Sequence, residues 1–590
     1  MKKQWNYKKA GDPSTAEGLI ASLNINRVLA NLLVQRGIKT FEQARKFFRP
    51  ALEELYDPFL MKGMADAVSR IDKAVQSGEK ILVYGDYDVD GTTAVALVYS
   101  FLRKYSKDVN NYIPDRYAEG YGISYTGIDY AIKNNYSLII TLDCGIKAVE
   151  KIEYAKERGV DFIVCDHHLP GDVIPQAAAV LDPKQPDCSY PFKELSGCGV
   201  GFKLVQGFCQ LKGISLKEIY PYLDLVAVSI ASDIVPVVDE NRILSHFGLI
   251  QLNKAPSRGL KAIIKLAGVE RHNIALDDIV FRIGPRINAA GRMESGKSAV
   301  DLLCAETDSA AFEMGSAINS CNNDRKFIDR SITQEALEII GNDPALQNKK
   351  TTVLYNPEWH KGVVGIVASR LIETYFRPTV VLTESNGFAT GSARSVPDFD
   401  LYQAVEACSD LLENFGGHMY AAGLTMKVEN VPIFIERFEQ FVSEHIKPEM
   451  LIPQIDIDAK INFNEIDDKF YRILKQFEPF GPGNMAPLFV SEKVYDAGDS
   501  RVVGKERNHL KLTLIQENSP KIFPGIAFQM ASHYKKIKKG SSFSVCYSIG
   551  ENTYRGVSTV QLRVKDIQHS CEMQDEYSNN SSEENMSNTT

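Results

Sequence analysis

Short apolar runs that end in carboxylates mark the first third of this chain. Residues 81–84 read Ile-Leu-Val-Tyr and lead through Gly85 into Asp86, Asp88 and Asp90. Residues 138–142 read Leu-Ile-Ile-Thr-Leu and end at Asp143; residues 162–165 read Phe-Ile-Val-Cys and end at Asp166, His167 and His168. Runs this short and apolar predict buried strands. The apolar stretch 94–102 reads as a helix behind the first of them. Residues 225–230 are apolar as well, before Ser232 and Asp233, and fit a helix or a strand equally.

A helical pattern covers 25–36, and 256–345 reads as mostly helical. A strand candidate at 351–355 opens a second α/β segment. Strand candidates at 510–515, 543–548 and 559–564, after a Gly-Pro-Gly entry, suggest a small β-barrel. The chain therefore reads as α/β, with two α/β lobes joined by helices and a C-terminal barrel. The segments are a lead-in (1–50), a doubly wound domain carrying the acidic tips (51–255), a helical connector (256–345), a second α/β domain (346–450), the barrel (455–570) and a tail (571–590).

The acidic tips carry the chemistry. Three carboxylates at alternate positions repel one another unless a hard cation sits among them, and clustered oxygens suit Mg²⁺ or Mn²⁺. Asp-x-Asp-x-Asp-Gly also opens a calcium-binding EF-hand loop, which needs Glu at its twelfth position. Counted from Asp86 that position is Leu97, so the calcium loop is excluded. A solvated Asp/Gly turn is the bland alternative. Three acidic tips at the carboxyl ends of predicted strands, where open α/β sheets bind ligands, argue against it. Oxygen donors with one or two imidazoles favour Mn²⁺ or Mg²⁺ over a thiolate zinc site.

Composition fits a large soluble enzyme of several domains. No run of eighteen apolar residues is present to cross a membrane. The start, Met-Lys-Lys-Gln-Trp-Asn-Tyr, has no apolar core of a secretory signal. The ten cysteines form no Cys-x-x-Cys pair; Cys144 and Cys165, beside the acidic tips, read as small buried residues of a reduced cytoplasmic protein. A net charge of −8 looks wrong for a nucleic-acid protein until it is located. Residues 571–590 carry five acidic residues and no base and read as disordered. Residues 501–565 carry twelve Lys or Arg against Glu506, Glu517 and Glu551, a surplus of +9. That basic stretch is the better guide to partners.

The segments Asp86-Tyr87-Asp88-Val89-Asp90-Gly91, Asp143, Asp166-His167-His168 and Asp233 resemble the four motifs of the DHH phosphoesterase superfamily. Within it the chain resembles the RecJ family of bacterial exonucleases specific for single-stranded DNA. Further RecJ-like segments are Ile113-Pro114-Asp115-Arg116-Tyr117, Glu119-Gly120-Tyr121-Gly122, 286–292, 359–366, 391–395, Phe415-Gly416-Gly417-His418 and 478–484. The resemblance runs from about residue 45 to about 565 and implies a DHH domain, a DHH-associated domain and an OB-fold barrel. It implies a 5′→3′ exonuclease of DNA recombination and repair that releases 5′-mononucleotides by two-metal hydrolysis with Mn²⁺ or Mg²⁺.

On the same resemblance, Asp143 bridges the ions, Asp88 serves one, and Asp90, His167 and Asp233 serve mainly the other. Asp86 is a further ligand or a partner of one. His168 binds metal or contacts the scissile phosphate, and Asp166 orients a histidine. Arg116, Ser392 and Arg394 form a pocket for the 5′ phosphate, His418 contacts the strand, and Arg286 and Arg292 contact phosphates. The implied partners are single-stranded DNA, a single-strand-binding protein and a RecQ-type helicase. A monomer without membrane attachment is expected. The alternatives are a DHH enzyme acting on short RNA or cyclic dinucleotides, a non-catalytic DHH protein that binds single strands, and a pyrophosphatase of the same superfamily. The first would lack the basic barrel, the second would have lost acidic ligands, and the third would be much shorter.

Overall fold

The computed structural model describes residues 3–569 except 270–272, 539 and 555–556; the expected acidic tail at 571–590 lies outside the described residues. The chain divides into two compact units. One is 51–452; the other joins 1–50 to 453–590.

In the first unit the three expected strands form as β1 (Ile81–Gly85), β3 (Leu138–Leu142) and β4 (Asp161–Cys165), and two that the sequence reading did not include join them, β2 (Val109–Tyr112) and β5 (Ala179–Leu181). They pair in the order β2-β1-β3-β4-β5, all parallel. The chain order reverses between β1 and β3, so their carboxyl ends open a crevice suited to a ligand. Register keeps the tips level: Gly85 lies opposite Leu142, and Leu142 opposite Cys165.

Both faces of this sheet are covered, which is why its strands are continuous apolar runs. Val83 and Ile140 pack into the larger core with α1 (Val89–Leu102), α2 (Gly197–Lys212) and α3 (Leu223–Ser232). Leu82, Tyr84, Ile139 and Phe162 face the opposite cluster. Leu97, which excluded the calcium loop, is buried in α1. The apolar run at 225–230 is helical: α3 is buried on every side, so its sequence has no amphipathic period to announce a helix.

Two connector helices, α4 (Gly284–Met293) and the 35-residue α5 (Asp308–Asn342), lead to the second lobe. That lobe holds β6 (Thr352–Tyr355), α6 (Val364–Tyr375), β7 (Thr379–Ser385), β8 (Phe388–Arg394), β9 (Leu412–His418) and β10 (Ala421–Lys427). Its sheet order is β9-β10-β8-β7-β6, antiparallel except between β6 and β7.

The second unit is a barrel. Its strands are β11 (Phe489–Asp496), β12 (Arg501–Val503), β13 (His509–Gln516), β14 (Ile522–Ala527), β15 (Phe543–Tyr554) and β16 (Val557–His569). The ring β11-β15-β16-β14-β13 closes where β13 pairs back with β11, the five-stranded plan of an OB-fold. Leu510, Leu512 and Leu514 alternate into its interior. The segment read as a lead-in packs here. Leu29, Leu32 and Leu33 share one core with Phe470, Phe477 and Leu512, and the Trp5 indole donates to Asp566 at 2.7 Å. Among the described residues no helix is long and apolar enough to cross a membrane.

Candidate metal centre and anion pocket

β1 delivers Asp86 at its carboxyl end. The chain then turns sharply into α1. The Asp88 carboxylate caps that helix by accepting from the Gly91 amide at 3.1 Å. Gly91 is required here: a Cβ would lie 2.4 Å from the Asp86 carbonyl oxygen. Asp90, in the first turn, is fixed by donors from two other helices. It accepts from the Gly197 and Cys198 amides at 2.6 and 2.7 Å and from the Ser229 hydroxyl at 2.7 Å. The first two belong to the amino terminus of α2, whose dipole favours an anion.

Asp143 follows β3 with φ of +61°, an unusual conformation for a non-glycine residue. His167 follows β4. Its Nε2 lies 3.1 Å from Asp143 Oδ1, 3.6 Å from Asp233 Oδ2 and 3.7 Å from Asp90 Oδ2. Asp233 ends α3 as its C-cap, so this donor comes from a helix rather than a strand tip. The fold thus gathers Asp86, Asp88 and Asp143 into one set of donor atoms within 4.8 Å, and Asp90, His167 and Asp233 into another. Asp143 also groups with His167 and His168.

The electrostatics are those of a cation site. Burial and then Asp90, Asp88 and Asp233 raise the Asp143 carboxyl well above its ordinary range. Burial and then Asp88 do the same to Asp86; burial and then Asp90 lift Asp88 and bring Asp233 up to about 8. Burial lowers His167, which favours the neutral imidazole that a metal binds. Among the described residues, Asp86 Oδ2 and His167 Nδ1 are buried without a hydrogen-bond partner. Oxygen-rich donors with imidazole, and an orphaned carboxylate oxygen, fit Mg²⁺ or Mn²⁺. Cys144 and Cys165 are buried, unbridged and outside these donor sets, and burial raises both thiols.

Asp166 belongs to none of these donor sets. It accepts from the amides of Ile146, His167 and His168 and from His168 Nδ1 at 2.7 Å. Burial opposes its charge, but these donors win and hold its pKa at about 2. Burial likewise pulls His168 down, and the Asp166 bond and charge outweigh it, lifting the imidazole to about 9. His168 Nε2 lies 3.2 Å from the Tyr121 hydroxyl. Tyr121 stood in the sequence only as part of a Gly-Tyr-Gly segment. Asp182, just past β5, was also not singled out: its side chain is buried, Oδ2 has no partner among the described residues, and burial lifts it to about 7. An Asp-Pro step after a three-residue strand was its only signal.

A cationic group borders the carboxylates. Arg116 stacks on Tyr87 at 5.0 Å and lies close enough to act on Asp86. Arg292 donates to the Gly362 carbonyl at 3.3 Å; burial, then Arg116, Arg325 and Arg394, lower it to about 10. Burial and then Arg116 lower Arg394 and Lys361. Among the described residues, Arg116, Arg292 and Arg394 make no ion pair. Gly365, in the first turn of α6, lets Arg394 and Ser392 approach: a Cβ there would be 3.0 Å from Arg394 Nη2 and 3.1 Å from Ser392 Oγ. Half-buried like charges beside a helix amino terminus make an anion pocket. Arg286 is held differently, by Asn319 at 2.9 Å and by the Arg282 carbonyl. His418, exposed at the end of β9, accepts from the Tyr420 amide at 3.2 Å.

A doubly wound sheet with acidic and histidine tips, followed by a mixed-sheet lobe, defines the DHH class. The DHH family N-terminal domain matches residues 80–230, the DHHA1 domain 348–444 and the RecJ OB domain 457–566. The single-stranded-DNA-specific exonuclease RecJ of Bacillus subtilis is 37% identical over 568 residues, 96% of this chain and 71% of that protein. The RecJ of Escherichia coli is 30% identical over 588 residues, covering 96% and 100%. The crystal structure of RecJ from Thermus thermophilus in complex with Mn²⁺ superposes with a TM-score of 0.81 at 26% identity, over 96% of this chain and 79% of that one. The chain belongs to the RecJ family.

Proposed function

We propose that this chain is a metal-dependent exonuclease that degrades single-stranded DNA from its 5′ end, releasing 5′-mononucleotides. The observation that carries the reading is the pairing of two donor sets with arginines that make no ion pair among the described residues: Arg116 acts on Asp86, and Asp88 on Arg292. Two divalent ions would be held by Asp86, Asp88 and Asp143 on one side and by Asp90, His167 and Asp233 on the other, with Asp143 shared. Thermus RecJ structures with Mn²⁺ and with Mg²⁺ support the choice of ion. Bound there, such ions supply Lewis-acid polarisation of the phosphodiester and activation of water.

The chain's own groups do the rest. Asp166 fixes the His168 ring and keeps it protonated at neutral pH, so that a positive charge lies beside the phosphate. Tyr121 holds the other ring nitrogen. Arg116, Arg394, Ser392 and the amino terminus of α6 bind the terminal phosphate, which sets the 5′→3′ polarity. Arg292, His418 and, further along the connector, Arg286 contact the strand. The barrel, with its basic surplus over 501–565, binds the strand by charge and stacking. A monomer in the reduced cytoplasm, working in recombination and repair beside a single-strand-binding protein and a RecQ-type helicase, completes the reading; the free cysteines among the described residues agree with that compartment.

The test is hydrolysis of a single-stranded oligonucleotide with Mn²⁺ or Mg²⁺, repeated with chelator. Mononucleotide release that stops with chelator and returns with added metal is expected; hydrolysis indifferent to chelator contradicts the reading.

A further inference from the structure

Two aliphatic side chains stand exposed beside the donor sets. Ile234 directly follows Asp233 and is 63% exposed; Leu169 directly follows His168 and is 71% exposed. Ile234 has a φ of +61°. It is the residue just past the end of α3, where glycine or asparagine is usual, and a β-branched side chain there is strained. An isoleucine at this place gains nothing from backbone conformation and little from packing. Strain kept beside a site implies a use for the side chain.

The space beside Leu169 points to what that use is. Leu169 lines an open cavity of about 650 Å³ with Lys184 and Lys193. Lys184 pairs with Glu194 at 3.2 Å, yet its charge still acts on His167 and Asp233. An apolar side chain after each of two donor segments, with room on the Leu169 side and a cation there whose charge reaches the donors, suits a nucleoside attached to a phosphate. We infer that Leu169 and Ile234 form an apolar rim that grips a nucleoside flanking the scissile phosphate. The inference rests on the nuclease reading above. Aliphatic contact with the face of a base removes apolar area from water and is indifferent to sequence, because every base has such a face. The rim would separate that base from its neighbour before cleavage.

The test uses the full-length protein and single-stranded oligonucleotides. One set is intact; in two others the base of the first or the second nucleotide is replaced by an abasic analogue. In the wild type, one of the two abasic positions should lower kcat/KM about tenfold, the size of a lost contact worth about 1.4 kcal/mol. Ile234→Asn keeps a residue at ease in the left-handed region and removes the apolar face, so its melting temperature should be unchanged or higher. It should lose a similar factor on the intact strand and little more on the abasic one. Leu169→Ser, with no backbone strain at stake, should show the same collapse of the abasic penalty. The inference is overturned if the wild type shows no penalty at either position, or if both variants keep the wild-type penalty. Failure of the wild type to release mononucleotides at all would overturn the nuclease reading and this inference with it.

Discussion

His167 Nε2 lies 3.1 Å from Asp143 Oδ1, and Asp143 is the one residue common to the Asp86–Asp88 donor set and to the histidine pair. Its carboxylate is buried among like charges, so the metal-free protein carries repulsion that bound cations remove. Asp143→Asn should therefore melt at or above the wild-type temperature in chelator, yet gain less from added Mn²⁺. Activity should fall at least about a hundredfold, since even groups that only support metal ligands cost 10–100-fold. Single-strand binding should stay within a few-fold. Calorimetry with Mn²⁺, melting curves and a hydrolysis assay check these together; full Mn²⁺ stabilisation in the variant would refute the shared role.

The pocket at Arg394 predicts a dependence on the strand end. Arg394→Ala should slow hydrolysis of 5′-phosphorylated strands by about tenfold or more, the worth of a charged hydrogen bond, and affect 5′-hydroxyl strands less. Gly365→Ala should act the same way, because its Cβ would crowd Arg394 and Ser392 at 3.0 and 3.1 Å. Equal losses on both kinds of end would argue against a terminal-phosphate pocket.

Asp182 gives a pH signature in stability. Its folded pKa, about 7, is above the ordinary unfolded value of about 3.9. Between these values the native state holds more protons, so this group makes the protein less stable as pH rises from about 4 to about 7. Asp182→Asn mimics the protonated form, keeps an acceptor for the Lys184 amide and puts its amide where Oδ2 has no partner. Its advantage over the wild type should be small at pH 4 and reach about 1 kcal/mol or more at pH 8. Urea unfolding in chelator at both values measures it; a pH-independent difference would contradict the assignment.

The shared core of residues 1–50 with the barrel dictates how the chain should be cut. Deleting 453–590 alone strips the N-terminal helices of their packing partner and should cause aggregation. The fragment 51–452 removes both parts of that unit. It should keep metal-dependent cleavage of short oligonucleotides and lose affinity for long strands, measurable by anisotropy with oligonucleotides of increasing length. Undiminished affinity for long strands would remove the barrel from the binding account.

The acidic tips were legible because three buried strands are continuous apolar runs and each stops at a carboxylate. The parallel sheet then puts those stops on one edge. Asp233 was legible as a residue but not as a helix cap, since α3 is apolar on all sides and carries no period. The docking of 1–50 on the barrel could not be read, because an amphipathic helix announces a buried face without naming what buries it. Tyr121 and Asp182 were missed for a related reason: their importance lies in contacts to His168 and in burial, neither of which leaves a mark on neighbouring residues. The donors that hold Asp90, from Ser229 and the start of α2, arise only when the chain closes on itself.

One time course measures the polarity of cleavage directly. A single-stranded oligonucleotide carrying a 5′-phosphate label, and the same strand labelled at its 3′ end, are digested in parallel with Mn²⁺. The 5′ label should leave at once as a mononucleotide, while the 3′ label stays in strands that shorten progressively. Immediate release of the 3′ label, or internal fragments from both substrates, would contradict 5′→3′ cleavage.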